Sequence, residues 1–130
     1  MAQELRRILY VEDENDIRTV GKMALEAVGG FEVIACASGD EALAAAPQSR
    51  ADLILLDVMM PGRDGPTTLA ALRAIPATAA TPVIFMTAKV QASEVALYRS
   101  LAGVLDVIPK PFDPMEVSKR IRQIWDARVT

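Results

Sequence analysis

The sequence predicts an α/β fold, a parallel sheet with helices packed on both faces. Short apolar runs alternate with segments of helical periodicity along the whole chain, the pattern of repeated βα units joined by right-handed crossovers. One run, Leu53-Ile54-Leu55-Leu56, is short and has no polar residue, as befits a strand buried on both faces. Acids stand at the ends of two such runs, where open α/β sheets bind their ligands. Asp57 follows the run just named, and Glu12-Asp13 follow Ile8-Leu9-Tyr10-Val11.

Strands are expected at 7–11, 31–36, 53–57, 83–86 and 104–108. Between the first two, Ile17, Val20, Ala24 and Val28 mark one face of a helix that Gly29-Gly30 ends. Ser38, followed three residues later by Glu41, has the form of a capping box ahead of Ala42, Leu43 and Ala46. Leu69 and Leu72 mark a third helix, opening after Gly65-Pro66 and running out before Pro76. A fourth is expected over 90–101, with Leu97 and Leu101 one turn apart, Tyr98 half-buried and Gly103 as its stop. The last is the best marked: Asp113 can cap it, Pro114 suits its first turn, Glu116 completes a box, and Phe112 and Val117 occupy staple positions. Val117, Ile121, Ile124 and Trp125 share the face meant for the core, and Lys119, Arg120 and Arg122 fall largely off it, as on a solvated face.

The 130 residues suit one domain, expected over 5–129 with no second domain, and 52% hydrophobic residues are ample for one core. With 24% charged residues and a net charge of −3, there is no sign of the basic face that nucleic-acid binding wants. The one cysteine, Cys36, rules out an intrachain disulfide and reads as a buried, inert thiol. No apolar run approaches the roughly 18–20 residues of a membrane span, and the first seven residues hold no signal-peptide core. A cytoplasmic protein with neither membrane nor nucleic acid as partner is therefore expected. Histidine is absent, which removes histidine acid–base catalysis, histidine metal ligation and a phosphohistidine within the chain.

The residues just past the strands carry the chemistry. The first strand is followed by Glu12 and Asp13, the third ends in Asp57, the fourth leads into Thr87 and the fifth into Lys110. In a parallel sheet all of these reach one edge. Three carboxylates gathered there raise one another's pKa unless a cation joins them, and the oxygen-rich set suits Mg²⁺, which takes a few carboxylates with waters and phosphate oxygens. A hydroxyl and an ammonium close by can hold the remaining oxygens of a phosphoryl group, with Asp57 as the nucleophile.

With these residues in place, the chain resembles the receiver domains of bacterial two-component response regulators, of the single-domain chemotaxis-regulator type. The matching stretches are Ile8-Leu9-Tyr10-Val11-Glu12-Asp13-Glu14, Ala37-Ser38-Gly39-Asp40-Glu41-Ala42-Leu43, Leu55-Leu56-Asp57-Val58-Met59-Met60-Pro61-Gly62-Arg63-Asp64-Gly65, Pro82-Val83-Ile84-Phe85-Met86-Thr87-Ala88 and Lys110-Pro111-Phe112. The resemblance implies a flavodoxin-like, doubly wound sheet of five parallel strands in the order 2-1-3-4-5 with five flanking helices. It implies a signalling domain rather than an enzyme: Asp57 accepts a phosphoryl group from the phosphohistidine of a sensor histidine kinase or a histidine phosphotransfer protein, and the signal passes by contact to an output protein that remains unknown. Carried over by residue, Asp13, Asp57 and the backbone carbonyl of Met59 bind Mg²⁺, and Glu12 acts through a water. Thr87 and Lys110 hold the phosphoryl oxygens, and the Lys110-Pro111 peptide is cis. Met59 and Lys89 flank the site and would govern water access, and with it the lifetime of the phosphoryl group. Phosphorylation would bias the fourth helix, fifth strand and fifth helix toward a partner-binding state.

One position departs from the family. Val107 stands where receiver domains usually carry Tyr or Phe, and a stiff β-branched side chain swings no ring. The output face is then remodelled, or Tyr98 contributes instead. Three other readings compete. A degenerate receiver would bind partners constitutively, without phosphorylation. A Mg²⁺-dependent aspartyl-phosphate hydrolase would need a second aspartate two residues after Asp57, where this chain has Met59. A flavodoxin-like cofactor carrier would want a Gly- or hydroxyl-rich loop after the first strand, where this chain has Glu12-Asp13-Glu14.

Overall fold

The structure is a computed structural model describing residues 4–88 and 91–128. The expectations placed on Lys89, on Val90 as the start of the fourth helix and on Val129 as the end of the domain lie outside the described residues. Five strands, β1 (Arg7–Val11), β2 (Glu32–Cys36), β3 (Leu53–Asp57), β4 (Val83–Thr87) and β5 (Val104–Pro109), run parallel in the order β2-β1-β3-β4-β5. The expected topology is thus the observed one. Five helices connect and flank them: α1 (Asn15–Met23), α2 (Gly39–Ser49), α3 (Gly65–Arg73), α4 (Ala92–Arg99) and α5 (Val117–Ala127).

Period-two alternation along the strands divides the core into two layers. Ile8, Tyr10, Leu53, Leu55, Ile84, Met86 and Ile108 point to one side and meet Leu25, Val117, Ile121, Ile124 and Trp125. Leu9, Val11, Ile54, Leu56, Val83, Phe85 and Val107 point to the other and meet Ala42, Ala46, Leu69 and Leu72. Helices α1 and α5 therefore cover one face and α2, α3 and α4 the other. Every residue of β3 and β4 is buried, whereas β2 at the sheet edge starts exposed. This is why the central strands read as unbroken apolar runs.

Several element positions differ from the sequence reading. The face of α1 is rotated: Gly21, Ala24 and Leu25 are buried, while Val20 and Val28 stand exposed. The helix widens into a π-turn over Ala24–Val28, which shifts the register of its last turns, so a constant 3.6-residue period no longer tracks the buried face. In α4 the contacts to the core come from Val95 and Tyr98, Leu101 adds to them from beyond the helix end, and Leu97 is 61% exposed. The last helix begins at Val117 rather than behind Asp113, because Asp113 caps a separate turn, accepting from the Met115 and Val117 amides. Glu116 stands at its N-cap without a side-chain bond, so no capping box forms there. Residue 31 lies outside β2; the buried Phe31 ring instead receives the Arg122 guanidinium 4.3 Å from its centroid.

The box at α2 does form, in shifted shape. Ser38 Oγ accepts from the Glu41 amide at 3.1 Å, and Glu41 Oε1 reaches back to the Ala37 amide at 3.0 Å rather than to that of Ser38. The basic residues of α5 are largely engaged within the molecule: Arg120 with Asp106, and Arg122 with the Gly29 carbonyl and Phe31. Cys36 is buried, and burial pushes its thiol up to about 11, as an inert core cysteine requires. Among the described residues no helix is long and apolar enough to cross a membrane.

Tyr10 is the unusual member of the core. Its ring is fully buried against α1, in a space that exists because residue 21 is glycine: a Cβ there would lie 2.3 Å from the phenolic oxygen. The hydroxyl has no hydrogen-bond partner among the described residues, and burial with the charges of Glu12 and Asp57 raises its pKa. An unpaired buried hydroxyl costs on the order of 1–3 kcal/mol. Tyr10→Phe is expected to stabilise the protein by about 1 kcal/mol in urea unfolding, and a lower midpoint would show that the hydroxyl is satisfied by water.

Candidate phosphoacceptor site

The C-terminal ends of β1, β3, β4 and β5 bring the site together from four places in the chain. Asp57 follows Leu53 and Leu55 in the alternation, so its side chain lies on the α1/α5 side of the sheet. The loop after it is held tight. The Gly65 amide donates to the Val58 carbonyl at 2.8 Å, and a Cβ on Gly65 would come within 2.7 Å of the Asp57 carbonyl oxygen. Asp64 closes this loop by capping α3 through the Thr67 amide at 2.9 Å.

Glu12, Asp13 and Asp57 each offer a carboxylate oxygen within 4.8 Å of the others. Glu12 is 0% and Asp57 3% exposed, and Asp13 is half-buried. Burial, and then the negative charge of Glu12, push the Asp57 carboxyl up to about 7, against the partial relief from Lys110. Lys110 Nζ lies 2.7 Å from Glu12 Oε1 and 3.4 Å from Asp57 Oδ2. Burial lowers the lysine pKa, but the bond to Glu12 and the charges of Asp57 and Glu12 outweigh it, and the net shift is upward. Lys110 thus sits between the two buried carboxylates as a permanent cation. One ammonium against three carboxylates leaves the donor set negative and oxygen-rich, which fits a hard divalent ion such as Mg²⁺.

The remaining expected residues are placed as follows. Thr87 ends β4, is buried, and its carbonyl accepts from the Lys110 amide at 2.9 Å. Met59 is 56% exposed, and its amide faces Asp57 Oδ1 at 3.4 Å. The Lys110-Pro111 peptide is cis. Val107 is buried beside Phe85, and Tyr98 of α4 lays its ring against Phe85 with centroids 5.5 Å apart. An aromatic ring therefore reaches this layer from α4 rather than from β5.

Two features were not legible in the sequence. A cavity of about 520 Å³ opens above Asp57 and Lys110, walled by Ile17 and Val20 of α1 and by Phe112 and Pro114 beyond β5. Arg18 of α1 turns inward to the loop that carries Glu12 and Asp13, donating to the Glu12 carbonyl at 2.9 Å. A basic residue in an amphipathic helix reads as a solvated position, so nothing local distinguished it.

The sequence matches the response regulator receiver domain over residues 8–122. The chain belongs to that family. It is 41% identical over 119 residues to the transcriptional regulatory protein ResD of Bacillus subtilis, a match covering 91% of this chain and 47% of ResD. It is 42% identical over 120 residues to the transcriptional regulatory protein CpxR of Escherichia coli K12, covering 92% of this chain and 49% of CpxR. The receiver spans about half the length of these relatives. Among solved structures, the chemotaxis protein CheY4 of Vibrio cholerae superposes with a TM-score of 0.82 at 29% identity, covering 93% of this chain and 99% of CheY4. The receiver domain of the sensor histidine kinase PA1611 of Pseudomonas aeruginosa, solved with a magnesium ion in its active-site cleft, superposes with a TM-score of 0.77 at 27% identity and covers 95% and 99%. The protein is a receiver domain of two-component signalling, a signalling module with an acidic pocket of the kind that binds Mg²⁺.

Proposed function

We propose that this receiver takes a phosphoryl group onto Asp57 from the phosphohistidine of a sensor kinase or histidine phosphotransfer protein. The observation that carries this reading is the Asp57 carboxylate, 3% exposed, held between Glu12, Asp13 and Lys110 beneath an open cavity. A structural carboxylate would be neutralised by its partners; this one stays electrically frustrated, with its pKa pushed to about 7. No histidine stands among these 130 residues, so the donor imidazole lies outside them.

In the transfer a carboxylate oxygen of Asp57 attacks phosphorus in line with the leaving imidazole nitrogen. The P–N bond breaks as the O–P bond forms, and the imidazole keeps the electron pair. Asp13, Asp57 and the Met59 carbonyl, with Glu12 through a water, would hold Mg²⁺, and the ion would supply positive charge to the phosphoryl oxygens. Lys110, whose Nζ already lies 3.4 Å from Asp57 Oδ2, leaves Glu12 for a phosphoryl oxygen. Thr87, fixed at the end of β4 by the backbone bond to Lys110, donates its hydroxyl to another. The acyl phosphate so formed has no acid–base residue at position 59 to hydrolyse it, since Met59 stands there, and slow attack by water ends the signal. The phosphorylated domain acts by contact with an output partner through α4, β5 and α5.

The test uses Mg²⁺ and acetyl phosphate with readout by intact mass. Wild type gains one phosphoryl unit, and Asp57→Asn gains none. No gain in wild type, with no response to beryllofluoride, would leave a receiver that binds its partners constitutively.

A further inference from the structure

The loop between β1 and α1 carries two of the three carboxylates, and its backbone is tied to the neighbouring strand at Glu12, whose amide donates to the Cys36 carbonyl at 3.0 Å. Glu14, at the N-cap of α1, makes no side-chain capping bond. The Glu14 amide instead turns to the Glu12 side chain, at 3.2 Å from Oε2. A second hold, on the carbonyl side, comes from one turn inside the helix. Arg18 Nη1 donates to the carbonyl of Glu12 at 2.9 Å and lies 3.5 Å from that of Asp13, while Nη2 donates to Asn15 Oδ1. The side chain is half-buried, and among the described residues Arg18 forms no ion pair, although Glu12, Asp13, Glu14 and Asp16 all stand within six positions of it.

That choice of partners has a physical consequence. Nη1 serves the two successive carbonyls while Nη2 of the same rigid plane is held by Asn15, a two-point hold that the single rotating centre of a lysine ammonium cannot reproduce. Holding the carbonyls of residues 12 and 13 fixes their peptide planes, and so the directions in which the two carboxylates leave the main chain. The guanidinium bonds to main-chain carbonyls and to Asn15, and takes none of the three carboxylates' oxygens as a partner.

We infer that Arg18 is the positioning residue of the magnesium site, holding Glu12 and Asp13 through their carbonyls with Asn15 as its brace. This inference rests on the reading of Glu12, Asp13 and Asp57 as that site. Mg²⁺ affinity is measured by calorimetry for wild type, Arg18→Ala, Arg18→Lys and Asn15→Ala, beside thermal melts without metal. Arg18→Ala is expected to weaken Mg²⁺ about tenfold, Arg18→Lys less and Asn15→Ala about threefold, with metal-free melts close to wild type. Acetyl phosphate labelling should then need more Mg²⁺ for half-maximal rate in Arg18→Ala and approach the wild-type rate at saturation. Equal affinity in wild type and a folded Arg18→Ala would overturn the role, as would an Arg18→Lys indistinguishable from wild type, which would reduce Arg18 to a charge. If Arg18→Ala does not fold, Arg18→Lys and Asn15→Ala still decide the matter. Absence of Mg²⁺ binding in wild type itself would bring down the site reading, and this inference with it.

Discussion

Asp57→Asn is expected to abolish phosphoryl uptake and at the same time to stabilise the metal-free protein above neutral pH. The two effects share one cause. The proposed transfer requires a buried carboxylate that can be negative beside Glu12, and folding pays for it. The ordinary carboxyl value of 3.8 is raised to about 7 in the folded chain, first by burial and then by Glu12. Between about pH 4 and 7 the folded state holds a proton that the unfolded state has released, so stability falls as pH rises through this window. The favourable contribution is complete below the unfolded value and gone above the folded one. Asparagine removes the titration, and Lys110 keeps its bond to Glu12. A three-unit displacement corresponds to roughly 4 kcal/mol; because relief is shared with Glu12, a gain of about 2 kcal/mol at pH 8 is expected, vanishing near pH 4. In thermal melts without metal this is a rise of roughly 6 °C at pH 8. Mg²⁺ should narrow the gap by stabilising the wild type more. A variant no more stable than wild type at pH 8 would show that the three carboxylates are already relieved without metal.

Lys110→Met is expected to act in the opposite direction. The ammonium faces two carboxylates that are almost wholly out of water, and methionine matches its bulk without its charge. Removing one partner of a buried ion pair typically costs about 3–5 kcal/mol, because the remaining charge is uncompensated. Here Asp57 can take up a proton, so the loss depends on pH. With Lys110 gone the Asp57 carboxyl moves further upward, and the proton must be given up at higher pH to restore the charge. The cost should reach about 3 kcal/mol at pH 8 and shrink below pH 6. Mg²⁺ should raise the melting temperature of this variant more than that of wild type, because the two buried carboxylates have lost their ammonium. Phosphoryl uptake should slow while remaining dependent on Asp57. A variant as stable as wild type at pH 8 would mean that Glu12 is held by something other than Lys110.

Much of this could be read before any coordinates. The unbroken apolar runs of β1, β3 and β4 follow from burial on both faces, and their order along the chain places Glu12, Asp13, Asp57, Thr87 and Lys110 at one edge of a parallel sheet. Chain direction alone does this, since every strand ends on the same side. Helix faces were less legible. In α1 a π-turn changes the residues per turn, and α4 packs on the core through Val95 and Tyr98, too few contacts to leave a strong periodic mark. The last helix misled for another reason: Asp113, Pro114 and Glu116 carry every local start signal, yet they form a turn that delays the helix to Val117.

Residue types in chain order therefore determined the fold class, the strand topology and the edge where the charged groups meet. Only the tertiary structure decided how those groups share one another's charge. That Lys110 rests between Glu12 and Asp57, that Arg18 turns from solvent to the carbonyls of Glu12 and Asp13, and that Tyr10 fills the space left by Gly21 are all contacts across sequence separations or helix faces. Local propensity acts over a few residues. The energies that choose these partners, burial of charge and the filling of one void, arise when the layers close.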